Sequence, residues 1–278
     1  MTDSPLPTDP LNVNQLDFDD PAAMMAFDEA WIAASLEKLA EDRRRMQERK
    51  IIDEQGDTIP AFTPLDMVAD GTPRITFFRH GESIGNAGAA TSDPATIPLT
   101  ERGRDQAARI AKIHWKKPTL IVVSSYDRTR ETAAPLLEQF PHTPVQVWPV
   151  QEFTYLEPTS CVGTTGAERR PRVEHYWTSG SPHERDGPGA ESFSDLIRRA
   201  DEARARLEAL PADSQVAVFT HGQFLQALRL LVHFPALEDG SMKRSFRALD
   251  RKFPIENGAQ IEGIVLRGRL CLLERLWW

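Results

Sequence analysis

The sequence predicts an α/β fold on an open parallel sheet, and three observations carry that prediction. From Arg74 onward, short β-prone apolar runs alternate with segments of helical period. One run, Leu120-Ile121-Val122-Val123, is continuously apolar, as a central strand buried on both faces requires. Three runs stop abruptly at polar residues: Arg79-His80-Gly81, Ser124 to Arg130, and His221-Gly222. In an open parallel sheet such carboxyl ends meet at one crevice, where these folds keep their chemistry.

Taken in order, residues 1 to about 20 are rich in Pro, Asp and Asn and predict a loose arm. Asp20-Pro21 then suits an N-cap and first turn, and Met25, Ile32, Leu36, Leu39 and Met46 form one apolar stripe. That helix either docks on its own domain or pairs with a partner, including a second copy of the chain as a homodimer. Its far end, Glu41 to Lys50, is densely charged, with cations toward the C-terminus. Pro60, Pro64 and Pro73 mark a connector over 56–73, so the chain divides into an N-terminal arm and helix, 1–70, and a catalytic domain, 71–278. Within the latter, strands are expected near 74–79, 119–124, 145–149 and 215–220, and helices near 101–113, 128–140, 190–209 and 222–233. Thr100 is placed to cap the first of these helices, whose Ala107, Ala108, Ile110 and Ala111 give it a small-residue packing face. Residues 158–188, with abundant Gly, Pro, Ser and Thr, predict a long irregular insertion, a lid near 153–188. Its cations, Arg169, Arg170, Arg172, His175, His183 and Arg185, either hold the far end of an anionic substrate or pair with Glu168, Glu174 and Glu184. Gln260–Leu266 and Leu270–Leu276, around Arg267-Gly268-Arg269, predict a terminal hairpin.

Composition narrows the function. A chain of 278 residues, 40% hydrophobic and 27% charged, can bury a full core, and no apolar run nears the roughly 20 residues of a membrane-spanning helix. Its first residues lack the basic start and apolar segment of a secretory signal, so a cytoplasmic location without membrane attachment is expected. Cys161 and Cys271 are too few for a disulfide framework or zinc cage. A formal net charge of -8 argues against a general nucleic-acid surface but leaves room for a local basic pocket.

The converging strand ends would build such a pocket from two imidazoles and at least two guanidiniums, with no acidic metal cluster. Positive groups of this kind stabilise the equatorial oxygens of a transferring phosphoryl group, and a neutral imidazole nitrogen can attack phosphorus. The plainer reading of Arg79-His80-Gly81 by itself is an ordinary strand end with surface polar residues.

Five ordered segments together resemble the histidine phosphatase superfamily, branch 1, also called phosphoglycerate mutase-like. They are Arg79-His80-Gly81-Glu82-Ser83 with Asn86, Ser124 to Ala133, Gln151-Glu152-Phe153, Gly189-Ala190-Glu191-Ser192, and Thr220-His221-Gly222. The resemblance implies a three-layer, mixed, mostly parallel sheet with helices on both faces, and metal-independent chemistry with no cofactor. It implies a phosphohistidine on His80, with Arg79, Arg128 and His221 completing the phosphate pocket and Glu152 donating a proton to the leaving oxygen. Asn86, Ser83 and Gly222 would help to bind the substrate. Arg130 is the nearest rival of Arg128, and Glu157 of Glu152. The family often follows its acid with a Gly-x-x-Glu-Gly-like turn, whereas Phe153 to Pro158 stands here. The leading expectation is therefore hydrolysis of a small phosphomonoester, including a multiply anionic one. The alternatives are mutase-type phosphoryl transfer and, from another class, a non-catalytic phospho-ligand sensor or scaffold. Nothing after Glu152 resembles the mutase's Arg-His-Tyr-Gly continuation, which favours hydrolysis.

Overall fold

Strand β1, Arg74–Arg79, lies inside a six-stranded sheet, between β4 (Gln215–Thr220), to which it is parallel, and β5 (Gln260–Leu266), to which it is antiparallel. Parallel strands β2 (Leu120–Val123) and β3 (Val145–Val147) extend one side, and antiparallel β6 (Arg269–Leu272) closes the other. The resulting order is β3-β2-β4-β1-β5-β6. This computed structural model describes residues 70–113, 116–178, 181–235 and 239–273, together with Ala26, Ala30 and Arg44, which are helical. The loose arm, the rest of the predicted Asp20–Lys50 helix and the last residues of the predicted hairpin lie outside the described residues. The chain divides into two units, Met1–Asp70 and Gly71–Trp278, and the sheet belongs to the second.

Because successive side chains on a strand point to opposite faces, each central strand feeds two cores. Ile75, Phe77, Val122, Val216 and Val218 face one layer, and Phe78, Ile121, Val123, Ala217 and Phe219 the other. Helices α1 (Glu101–Ala111) and α2 (Asp127–Gln139) cover the second face through Ile110, Ala133 and Leu136. The first face is covered by α5 (Phe193–Glu208), α6 (Gly222–His233) and α7 (Asp239–Lys252). Phe77, Phe78 and Phe219 are almost wholly buried, each stabilising the fold by about 1.5–3 kcal/mol relative to an exposed ring. Three layers with helices on both faces is the predicted architecture.

Local chemistry explains the element boundaries. Thr100 caps α1 as expected, its side chain accepting from the Gly103 amide at 3.0 Å. Ser192 and Asp195 form a reciprocal capping box on α5, whose Leu196, Ala200, Ala203 and Leu207 make the buried stripe. The β5–β6 hairpin turns at Arg267 and Gly268, both at positive φ, as a two-residue hairpin turn of the primed type requires.

Two segments differ from the sequence expectation. The insertion after β3 is not irregular: it contains α3 (Pro158–Cys161) and the thirteen-residue α4 (Gly166–Thr178). A capping box starts α4, with Thr165 and Glu168 each accepting from the other's backbone amide, and Pro171 within the helix had masked it. Helix α7, over a stretch given no element from sequence, buries Met242 and Phe246 on the α5 side. Its apolar spacing is helical, but dense charge obscures it. Among the described residues, no helix is long and apolar enough to cross a membrane.

Candidate active site

Strand register brings the two histidines together. Arg79 on β1 pairs with Thr220 on the parallel neighbour β4, so the residues that follow, His80 and His221, leave the sheet side by side. Their ring centroids are 4.9 Å apart, and both residues are buried, at 2% and 0% exposure.

His80 is held in one tautomer. Its Nδ1 donates to the Gly81 carbonyl at 2.6 Å, which leaves Nε2 with a lone pair. Arg128 Nε donates to that Nε2 at 3.1 Å, so a guanidinium lies beside the nitrogen that would meet phosphorus. Burial above all, then the charges of Arg128 and Arg79, push the His80 imidazole well below its ordinary value, against a smaller opposing effect of the Gly81 carbonyl. The ring is therefore neutral at neutral pH.

The supporting loop is rigidly placed. Gly81 donates to Thr132 Oγ1 at 3.0 Å, and a Cβ on Gly81 would lie 2.9 Å from the Gly103 carbonyl carbon, so only glycine fits. Asn257, from the loop before β5, donates to the His80 carbonyl and to Asn86 Oδ1, each at 3.1 Å. Asn86 Oδ1 also accepts from the Ser83 hydroxyl at 2.9 Å. Ser83 is itself buried and secures Asn86.

His221 is the N-cap of α6, and its Nε2 lies 2.8 Å from Ser124 Oγ. Burial, and then the charge of Arg128, hold its pKa well below the ordinary value. Its Nδ1 and Arg79 Nε are buried without a protein hydrogen-bond partner, two groups that a phosphoryl oxygen would satisfy. Arg79 is anchored by its Nη1 on the Ile255 carbonyl and packs against Gly222, the first residue of α6, where a Cβ would come 3.3 Å from Arg79 Nε. Arg128, not Arg130, enters the site: it is 5% exposed and its Nη1 donates to the Pro94 carbonyl at 2.6 Å, whereas Arg130 lies on the exposed side of α2.

Glu152 and Glu157 separate as clearly. Glu152 Oε1 accepts from the Gln223 amide in the first turn of α6, just past the N-cap His221, at 3.0 Å, and from the Phe153 amide at 3.1 Å. Glu157 instead accepts from Gly189 at 2.6 Å and caps α3, and that amide lowers its carboxyl pKa. A residue that sequence reasoning missed fixes the Glu152 segment: Arg199, in the buried stripe of α5. It pairs with Glu191 at 2.6 Å and donates to the carbonyls of Pro149, Gln151 and Glu152 at 3.0, 2.8 and 3.3 Å. An arginine inside an apolar helical stripe was the available signal.

Among the described residues, the hydrogen bonds and ion pairs made by the cations of the insertion go to groups other than Glu168, Glu174 and Glu184, while Arg169 acts on Glu168 through its charge alone. Arg172 pairs with Asp186, Arg185 with Asp195, and Arg169 donates to the Thr164 carbonyl. His183 Nδ1 lies 3.0 Å from Ser194 Oγ. Among the described residues, no group of three or more His, Cys, Asp or Glu side chains is placed to hold a metal ion.

Two neutral imidazoles and two guanidiniums at the carboxyl ends of parallel strands define an α/β enzyme suited to phosphoryl groups. The histidine phosphatase superfamily (branch 1) model matches residues 75–242, more than half the chain, and the chain belongs to that family. It is 28% identical over 162 residues to a metal-independent phosphoserine phosphatase of Arabidopsis thaliana, covering 57% of this chain and 68% of that protein. A mycobacterial glucosyl-3-phosphoglycerate phosphatase shares the fold at TM-score 0.55 and 23% identity, over 73% of this chain and 97% of its own. So does a phosphoserine phosphatase of Entamoeba histolytica in complex with 3-phosphoglyceric acid, at TM-score 0.53 and 18% identity, over 73% and 95%. The protein is a phosphatase of this superfamily, a hydrolase.

Proposed function

We propose that the protein hydrolyses small phosphomonoesters, without a metal, through a phosphohistidine on His80. In the first step Nε2 bonds to phosphorus as the ester P–O bond breaks, and the Glu152 carboxyl gives its proton to the departing alkoxide. Arg79, Arg128 and the Nδ1 of His221 stabilise the charge on the non-bridging oxygens, with Asn86 beside them. In the second step the Glu152 carboxylate takes a proton from water, whose oxygen bonds to phosphorus as the N–P bond breaks. Inorganic phosphate and neutral His80 result.

The observation that carries this reading is the state of His80: Nδ1–H spent on Gly81, Nε2 unprotonated in a buried cationic setting. Its test is a pulse with 32P-labelled substrate followed by alkaline quench. An acid-labile label is expected on His80, with turnover unchanged by EDTA and lost in His80→Ala. Turnover in that variant, or label on another residue, would refute the proposal.

A further inference from the structure

Beyond Glu152, a chain of side-chain contacts leads to a second charged region that the phosphoryl chemistry does not use. Gln223 bridges the two: its backbone amide donates to Glu152 Oε1 at 3.0 Å and its side-chain Nε2 to Asp250 Oδ2 on α7 at 3.1 Å. Asp250 lies 3.7 Å from Arg247, so the proposed proton donor and this arginine are separated by little more than one glutamine. Aromatic rings pack alongside this chain of contacts. Arg247 sits over Trp177, 5.0 Å from its ring centroid, and Trp177 packs at 5.4 Å on Tyr155, which in turn packs on Phe153 at 5.2 Å. Burial raises the Tyr155 phenol, the contact with Trp177 and the charge of Arg247 oppose, and Asp250 and Glu152 add to the rise.

Arg247 opens into a cleft of about 320 Å³ between α4 and α7, lined also by Gly166, Arg170, Val173, Glu174 and Arg251. Three guanidiniums thus line it beside the single carboxylate of Glu174, with Asp250 paired to Arg247 from outside the lining, in a chain whose net charge is -8. Among the described residues, Arg170 and Arg251 make no hydrogen bond or ion pair, unlike Arg169, Arg172 and Arg185. Side chains of this type, with planar forks of donors left uncommitted, suit carboxylate or phosphate oxygens.

We infer that Arg170, Arg247 and Arg251 form a subsite for a second anionic group on the leaving alcohol, so that the preferred substrates are phosphomonoesters bearing a further carboxylate or phosphate. This rests on the phosphatase reading above, with the alcohol lying over Glu152 and along Tyr155 and Trp177. Aliphatic and neutral leaving groups would cross the same aromatic rings without an anchor.

The experiment compares kcat/KM within matched pairs, 3-phosphoglycerate against glycerol 3-phosphate and fructose 1,6-bisphosphate against fructose 1-phosphate. The full chain is compared with Arg170→Gln/Arg251→Gln. The unmodified protein is expected to favour the more anionic member of at least one pair by roughly 10- to 100-fold, the scale of a charge-assisted contact. Which pair shows it separates a carboxylate subsite from a phosphate one. The double variant should lose most of that preference, and in the unmodified protein KM for the anionic member should rise steeply with KCl. A ratio near one in both pairs with turnover intact, or a preference undiminished in the variant, overturns the subsite alone. Absence of turnover on all four compounds overturns the phosphohistidine reading and the subsite with it.

Discussion

Replacing Gly81 by alanine tests whether backbone packing, more than any side chain, aims His80. The new Cβ would lie 2.9 Å from the carbonyl carbon of Gly103 and 3.0 Å from its Cα, with the carbonyl oxygen nearer still, where ordinary contact begins at 3.4 Å. The loop and the first turn of α1 must therefore separate by about 0.5 Å to clear the carbon, and further to clear the oxygen. Neither side yields easily, because the obstructing atoms are backbone and Gly103 is tied to Thr100 by the cap. Gly81 accepts from His80 Nδ1 and donates to Thr132, so any displacement is passed to the imidazole. A misplacement near 1 Å costs about 100-fold in rate, so kcat on an aryl phosphate should fall roughly 10- to 100-fold. Stability should fall by about 1–3 kcal/mol, the usual cost of overpacking. Gly240→Ala is the control: nothing lies within 4 Å of its Cβ, and in the first turn of α7 it should change stability by less than about 0.5 kcal/mol. Steady-state kinetics and urea unfolding measure both. A Gly81→Ala enzyme with kcat/KM within twofold of the unmodified protein would refute this account of how His80 is aimed.

Two further outcomes follow from the same geometry. Arg199→Met leaves Glu191 without its buried partner and frees three carbonyls around Glu152, so urea unfolding should show a loss of about 3–5 kcal/mol; a change below 1 kcal/mol would contradict the bracing role. For pH, both His80 and His221 are held well below 6.5 in the folded state, so the unfolded chain binds protons that the folded one refuses. Their contribution is fully present above about pH 6.5 and is lost as pH falls through the depressed folded values, so Tm should drop on acidification below pH 6.5, less steeply in His80→Ala. Scanning fluorimetry between pH 7.5 and 5 checks this, and equal slopes for the two proteins would contradict it.

By itself the sequence determined the strands, the polar residues at their carboxyl ends and the family, because each is written in contiguous residues. Strand periodicity, the glycine after each histidine and the Thr100 cap all act over a few positions, and the structure agrees with them. It also placed Arg128 ahead of its rival Arg130, which the burial of Arg128 supports. Helix α4 was legible in Thr165 and Glu168, but proline and glycine nearby outweighed that local signal. Only the tertiary structure decided the rest, since it depends on partners far apart in the chain. Asn257 reaches the His80 carbonyl across 177 positions, and Arg199 braces Glu152 across 47. Arg170 on α4 acquires meaning only when α7 brings Arg247 and Arg251 to the same cleft. The tautomer of His80 is decided in the same way, by a loop that Thr132 and Gly103 hold in place from two helices it does not belong to.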